Sequence, residues 1–123
     1  MAVTPAVGPY NAVALSTAQT GNADSTNTVD RADRRGPGAV VITNVDGGTG
    51  TVKVDIKGSV DGTNFYNVAY ALVATPTTVT VAQLTITTAT TTTYLLVADQ
   101  AWRYLKLTLS SNTNETLTAT AYV

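Results

Sequence analysis

Residues 51–57 alternate without a break: Val52, Val54 and Ile56 take one parity, and Lys53, Asp55 and Lys57 the other. Successive side chains of a strand point to opposite faces, so this period of two is the mark of a strand with one buried side. The same phase returns near the C-terminus. There Leu105, Leu107 and Leu109 stand opposite Tyr104, Lys106 and Thr108, and Leu117, Ala119, Ala121 and Val123 stand opposite Thr116, Thr118, Thr120 and Tyr122. No helical period longer than a turn competes with it. The chain therefore reads as all-β, with one face of each strand turned to a core.

Seven runs carry the strand pattern: residues 39–45, 51–57, 65–73, 78–87, 93–98, 102–109 and 117–123. With Ala12-Val13-Ala14-Leu15 as a short further strand, this predicts an antiparallel β-sandwich, Ig-like or jelly-roll-like, of about seven to eight strands. Turn residues separate the runs. Asp46-Gly47-Gly48 and Thr49-Gly50 are expected to break the first pair. Asp61-Gly62 has the composition of a two-residue type I′ hairpin, whose flanking strands are antiparallel neighbours. Pro76 cannot donate to a ladder and belongs in a loop or at a strand edge. Val79, Val81, Leu84 and Ile86 keep strand phase apart from a slip near Gln83, which reads as a bulge or turn.

Residues 1–37 are richer in Gly, Pro, Ala, Ser, Thr, Asn and Asp and carry most of the arginines, so they read as an N-terminal arm or long loop ahead of a domain at 38–123. On this reading, removal of residues 1–30 leaves a folded domain. A length of 123 residues suits one domain with a real core.

Composition narrows the chemistry. Only 12% of residues are charged, against about 25% in an ordinary soluble domain, whereas threonine occurs 25 times. Threonine takes the outward position again and again, and soluble sheets usually guard that surface with Lys and Glu. A Thr-rich, charge-poor exterior suits burial against partner subunits. The chain has no histidine and no cysteine, which removes the usual nucleophilic pairs, zinc sites and disulfides. Its one glutamate, Glu115, falls in what reads as a polar turn over residues 110–115, so a paired-carboxylate site is not expected. Asp24, Asp30 and Asp33, or Asp46, lack the spacing of a dedicated calcium loop and read as turn aspartates. No catalytic residue, cofactor or metal is expected. A net charge of −1 gives no general attraction to nucleic acid. Nor does the N-terminus have the basic start and apolar run of a signal peptide, or any stretch the length of a membrane span. The expectation is a complete, soluble chain made in the cytoplasm.

The candidates for contact are therefore aromatic and cationic. Arg31, Arg34 and Arg35, interleaved with Asp30 and Asp33, are suited to clamp a neighbour's carboxylates or carbonyls. Tyr66, Tyr70, Trp102, Tyr104 and Tyr122 are the candidate interface aromatics. With Phe65 they also raise the alternative of a stacking platform for sugar in a carbohydrate-binding or adhesin-like module. Phe65 and Tyr66 have opposite parity, so only a subset can share one surface. The stretch Ser59-Val60-Asp61-Gly62-Thr63-Asn64-Phe65 resembles the Asp-box turn of sialidase-like propellers but is one residue short and occurs once, which leaves a hairpin signal.

The runs Gly38-Ala39-Val40-Val41-Ile42-Thr43-Asn44-Val45, residues 50–65 and Trp102-Arg103-Tyr104-Leu105-Lys106-Leu107 together resemble small β-sandwich virion proteins of tailed bacteriophages, over roughly residues 28–123. The resemblance implies a capsid decoration, or cement, protein. Such proteins bind the major capsid protein where its subunits meet, often as trimers, on the outside of the virion. Tail and neck components share the same look. An extended arm is expected to add main-chain hydrogen bonds to a neighbour.

Overall fold

The computed structural model describes residues 12–31, 38–97 and 102–123, and of residues 46–49 the backbone alone. Its described residues form one antiparallel sheet of nine strands and no helix. Two strands dominate. β3 (Ala39–Ser59) and β9 (Tyr104–Tyr122) are 21 and 19 residues long and pair along nearly their whole length, from Ala39↔Tyr122 to Ser59↔Tyr104. Each absorbs two of the expected strands. The turn expected at residues 46–50 is instead a stretch of β3 in which the register against β9 shifts, between Asp46 and Thr51 and again between Thr51 and Lys53. Across from it, Ser111 and Asn114 take positive φ of 51° and 60° within β9. Extra residues on both strands bend the ladder without ending it.

With this bend the antiparallel sheet forms a curled half-barrel. The remaining strands flank the long pair. β1 (Ala12–Gln19) and β2 (Val29–Asp30) lie on β9, while β4 (Tyr66–Asn67), β7 (Leu84–Ile86) and β8 (Thr90–Leu96) lie on β3; β5 (Tyr70–Leu72) and β6 (Val79–Thr80) continue outward from β8. Because β3 and β9 run through both halves, the described strands all belong to one sheet. The expected run 65–73 divides into β4 and β5, and 78–87 into β6 and β7, with the slip near Gln83 at the second division. Pro76 sits in the turn between β5 and β6.

The alternation places the core where the sequence predicts. Val52, Val54, Ile56, Leu105, Leu107, Leu109, Leu117, Ala119, Ala121 and Val123 are all buried, and they join Val40, Ile42, Tyr94 and Leu96 in one cluster. The bend brings the buried faces of the two half-sheets together.

The expected arm needs correction over residues 12–31. β1 pairs with the C-terminal half of β9, from Ala12↔Tyr122 to Gln19↔Leu117, and Leu15 and Val29 are buried in the core. Residues 23–25 add to β9 from the same side: Ser25 N–H donates to Leu107 O at 2.8 Å and Leu109 N–H to Ala23 O at 2.9 Å. Small polar residues read as loop by composition, yet here they supply backbone and hydroxyl partners to a strand edge. Residues 1–11 and 32–37 lie outside the described residues.

Glu115 is also not in an exposed turn. It is 1% exposed within β9, and its Oε2 accepts a 2.7 Å hydrogen bond from Nδ2 of buried Asn44. Glu115 Oε1 and Asn44 Oδ1 are buried with no hydrogen-bond partner among the described residues. Asn112 braces the same bend: its Oδ1 accepts from Glu115 N–H at 3.0 Å and its Nδ2 donates to Thr20 O at 2.9 Å. At Gly50 a Cβ would overlap the Thr113 carbonyl, so the closest approach of β3 to the bulged part of β9 requires glycine.

Two outcomes follow from this packing. Deletion of residues 1–30 removes Leu15, Val29 and the cover of β9, and is expected to abolish the cooperative thermal transition seen by circular dichroism. Gly50→Ala is expected to destabilise the fold by about 2–4 kcal/mol in denaturant titration, the scale of a steric insertion that the backbone must absorb.

Candidate functional site

The contact candidates separate into three environments. Tyr70 is 5% exposed; its ring meets Tyr94 edge-on at 5.6 Å between centroids, and its hydroxyl donates to Ala82 O at 3.1 Å. That places Tyr70 in the core, which corrects its assignment to a contact surface. Arg31 is likewise inward: it is 6% exposed, its N–H donates to Arg103 O, and its guanidinium lies 4.3 Å from the centroid of the Trp102 ring. Stacking on an aromatic is a use Arg suits well, and it takes Arg31 away from a clamp on a neighbour. Arg34 and Arg35 lie outside the described residues.

Tyr122 is partly exposed near one end of β9, whereas half-buried Tyr104 opens the other end. The interface aromatics are therefore not one patch. At the Tyr104 end the loop between β3 and β4 brings aromatics and amides together. Phe65 sits beneath the Lys106 ammonium at 4.1 Å, and Tyr66, of opposite parity, is 73% exposed.

That loop is fixed by one carboxylate. Asp61 Oδ1 accepts from Thr63 N–H, Asn64 N–H and Ser59 Oγ, each at 2.8 Å, and Oδ2 accepts from Asn64 Nδ2 at 2.9 Å. The flanking strands are antiparallel neighbours as expected, through Lys57↔Asn67 and Gly58↔Tyr66. The connection is longer than a two-residue hairpin; only Gly62 takes positive φ, at 79°, and Asp61 serves as acceptor for the turn. The backbone N–H groups of Asn64 and Thr63 hold its carboxyl far below the usual carboxylate range.

Beside the loop is a cavity of about 380 Å³, with Gly58, Asp61, Asn64, Tyr66, Asn67 and Trp102 among its lining residues. Gly58 allows the wall to close: a Cβ there would come within 2.7 Å of Val68 Cγ1 and 3.1 Å of the Trp102 side chain.

A second surface lies at the β5–β6 end of the sheet. Leu72, Val73, Val79 and Val81 are 41–61% exposed there, the largest concentration of exposed apolar side chains among the described residues. Strand phase at Val79 and Val81 did not reveal it, because alternation alone does not tell a core face from an exposed one. A signal was present: residues 62–98, 37 in succession, contain no charged side chain. At the opposite end, residues 26 and 27 lie along β1, with Thr26 Oγ1 and Asn27 N–H donating to Leu15 O and Asn27 Nδ2 to Ala14 O.

The aspartates considered for calcium have other partners. Asp24 accepts from Lys106 Nζ and Thr108 Oγ1, both at 2.8 Å, and Asp30 is bidentate to Arg103 at 2.7 and 3.0 Å. No three acidic side chains converge among the described residues. Asp33 and the Asp46 side chain lie outside them.

No protein-family model matches the chain, and no curated protein does. A solved structure does. The SPBc2 prophage-derived protein YomS superposes with a TM-score of 0.67 over 98% of each chain, at 7% sequence identity. The likeness is one of fold.

The acid response of the Ser59–Asn64 turn is testable. Asp61 has a lowered folded pKa against an unfolded value of about 3.9, so its contribution is complete above that pH and is lost as pH falls through the folded value. Asp24, lowered first by its hydrogen bond to Lys106, has the same sign. Asp61→Asn is expected to make the fall of melting temperature below about pH 4 shallower, with the remaining slope carried by Asp24 and other carboxylates. Thermal melts between about pH 2 and 6 check it.

Proposed function

We propose that this chain is a non-enzymatic virion protein of a tailed bacteriophage, a decoration protein that binds the major capsid protein where capsid subunits meet on the outside of the head. The observation that carries this reading is the uncharged end of the sheet. An isolated soluble sheet protects a terminal strand with Lys, Pro or a covering loop, yet β6 presents Val79, and Val73 and Val81 beside it, without one charged neighbour along residues 62–98. Such a surface loses its cost when another protein covers it.

Threonine supports the same reading. Thr90 and Thr91 of β8 are exposed, and Thr43 and Thr91 share a hydrogen bond of 3.1 Å between hydroxyls. This pair and its exposed neighbour offer an uncharged, β-branched surface suited to close contact. The likeness to a prophage-derived protein fits a phage setting. Contact with sister copies, with a trimer favoured, and assembly from a cytoplasmic pool into the particle complete the proposal.

Light scattering and particle reconstruction test it. The purified protein is expected to occupy capsid subunit junctions on heads that lack it. The double variant Val79→Lys, Val81→Lys, at positions 54% and 61% exposed, is expected to keep its melting temperature within about 2 °C and to lose tenfold or more in particle occupancy. Occupancy unchanged by the two lysines sinks the role of this end. A lone monomer that binds no head, or density confined to the tail or neck, sinks the decoration assignment.

A further inference from the structure

The cavity beside the Asp61 turn lies at the other end of β3 from the strands that lead to β6, and its use is a separate question. Its volume of about 380 Å³ falls within the range of small-molecule sites. Three features define what fits. Aromatic surface comes from Trp102, half-buried, and from Tyr66, 73% exposed. Polar surface comes from the exposed Asn64 and Asn67 amides, groups that accept and donate. The charged lining group is Asp61, whose two oxygens already accept four hydrogen bonds from the turn, so a negative centre stands at the wall and an anion is disfavoured.

The walls are also preformed. The Asp61 bonds fix the turn, Lys106 pins Phe65 behind it, and Arg31 against the Trp102 ring holds the indole. A ligand therefore meets surfaces that need little further ordering, which favours even weak binding by a small molecule. A pyranose has a face of C–H groups suited to the negative face of an aromatic ring, and a rim of hydroxyls suited to side-chain amides.

We propose that this cavity binds a neutral saccharide, with one sugar ring packed on Tyr66 and Trp102 and its hydroxyls on Asn64 and Asn67. The site is independent of the β5–β6 end, so either assignment can fail without the other.

Trp102 is the chain's single tryptophan and reports on the cavity directly. The experiment titrates the intact protein with glucose, galactose, N-acetylglucosamine, maltotriose and chitotriose to about 20 mM, above the millimolar affinity expected of one stacked ring. Trp emission and amide NMR shifts are followed together. The expected result is a saturable change with at least one sugar, with shifted amides confined to residues 58–68 and 102–104. Tyr66→Ala, at an exposed position, is expected to weaken that binding tenfold or more with an unchanged melting curve. Asn67→Ala supplies a second variant with the same expectation. The proposal is overturned if no probe gives a saturable change, if the shifted amides lie elsewhere, or if both variants bind as the parent does.

Discussion

The antiparallel ladder between β3 and β9 is the contact on which every other part of the molecule depends. It joins residues far apart in sequence, and each of its two halves contributes one buried face: Val40 and Ile42 with Leu117 to Ala121, then Val52 to Ile56 with Leu105 to Leu109. Among the described residues neither half-sheet has a second sheet to cover it. The bend at residues 46–51 and 110–115 solves this by folding the ladder over its own apolar side, and the short strands complete the rim. Such a topology is rich in non-local pairing, which is the slow end of folding behaviour.

The bend has its own chemistry. Gly50 permits the close backbone approach, Ser111 and Asn114 supply the unusual dihedrals, and Asn112 ties the bulge to residues 20–22. Within it the Asn44–Glu115 pair is buried with two oxygens unpartnered among the described residues, an arrangement with a real desolvation cost. Polar groups held inside a bend specify where the bend occurs, because a shifted register would leave more of them without partners.

Parity was legible in the sequence, and connectivity was not. The alternation around Val54, Leu107 and Ala119 identifies the buried face of each strand, since it reports a local property of the backbone. Asp46-Gly47-Gly48-Thr49-Gly50 has turn composition, but tertiary pairing with β9 carries the strand through it, and glycine serves close approach there as well as reversal. The same override applies to Thr20 to Asn27, whose small polar residues act as edge partners for β9 and β1. At the contact sites, Tyr66 is exposed because it falls at the short strand β4 beside the Asp61 turn, where no neighbouring strand covers its ring among the described residues. Tyr70 and Arg31 were misassigned because a partner within the chain, Tyr94 for one and Trp102 for the other, is invisible until the fold brings it near. The Leu72 to Val81 surface was missed for the converse reason: a regular apolar phase implies a core only where the chain provides one.

The two margins of the sheet differ in kind. Residues 26 and 27 occupy the Ala14 and Leu15 carbonyls along β1, whereas among the described residues β6 has no such sheath. Endless stacking of copies needs each molecule to offer both a plug and a socket. With one margin already sheathed, a molecule that docks through β6 presents no fresh socket to the next, so edge-wise growth ends after a single step and filaments are discouraged.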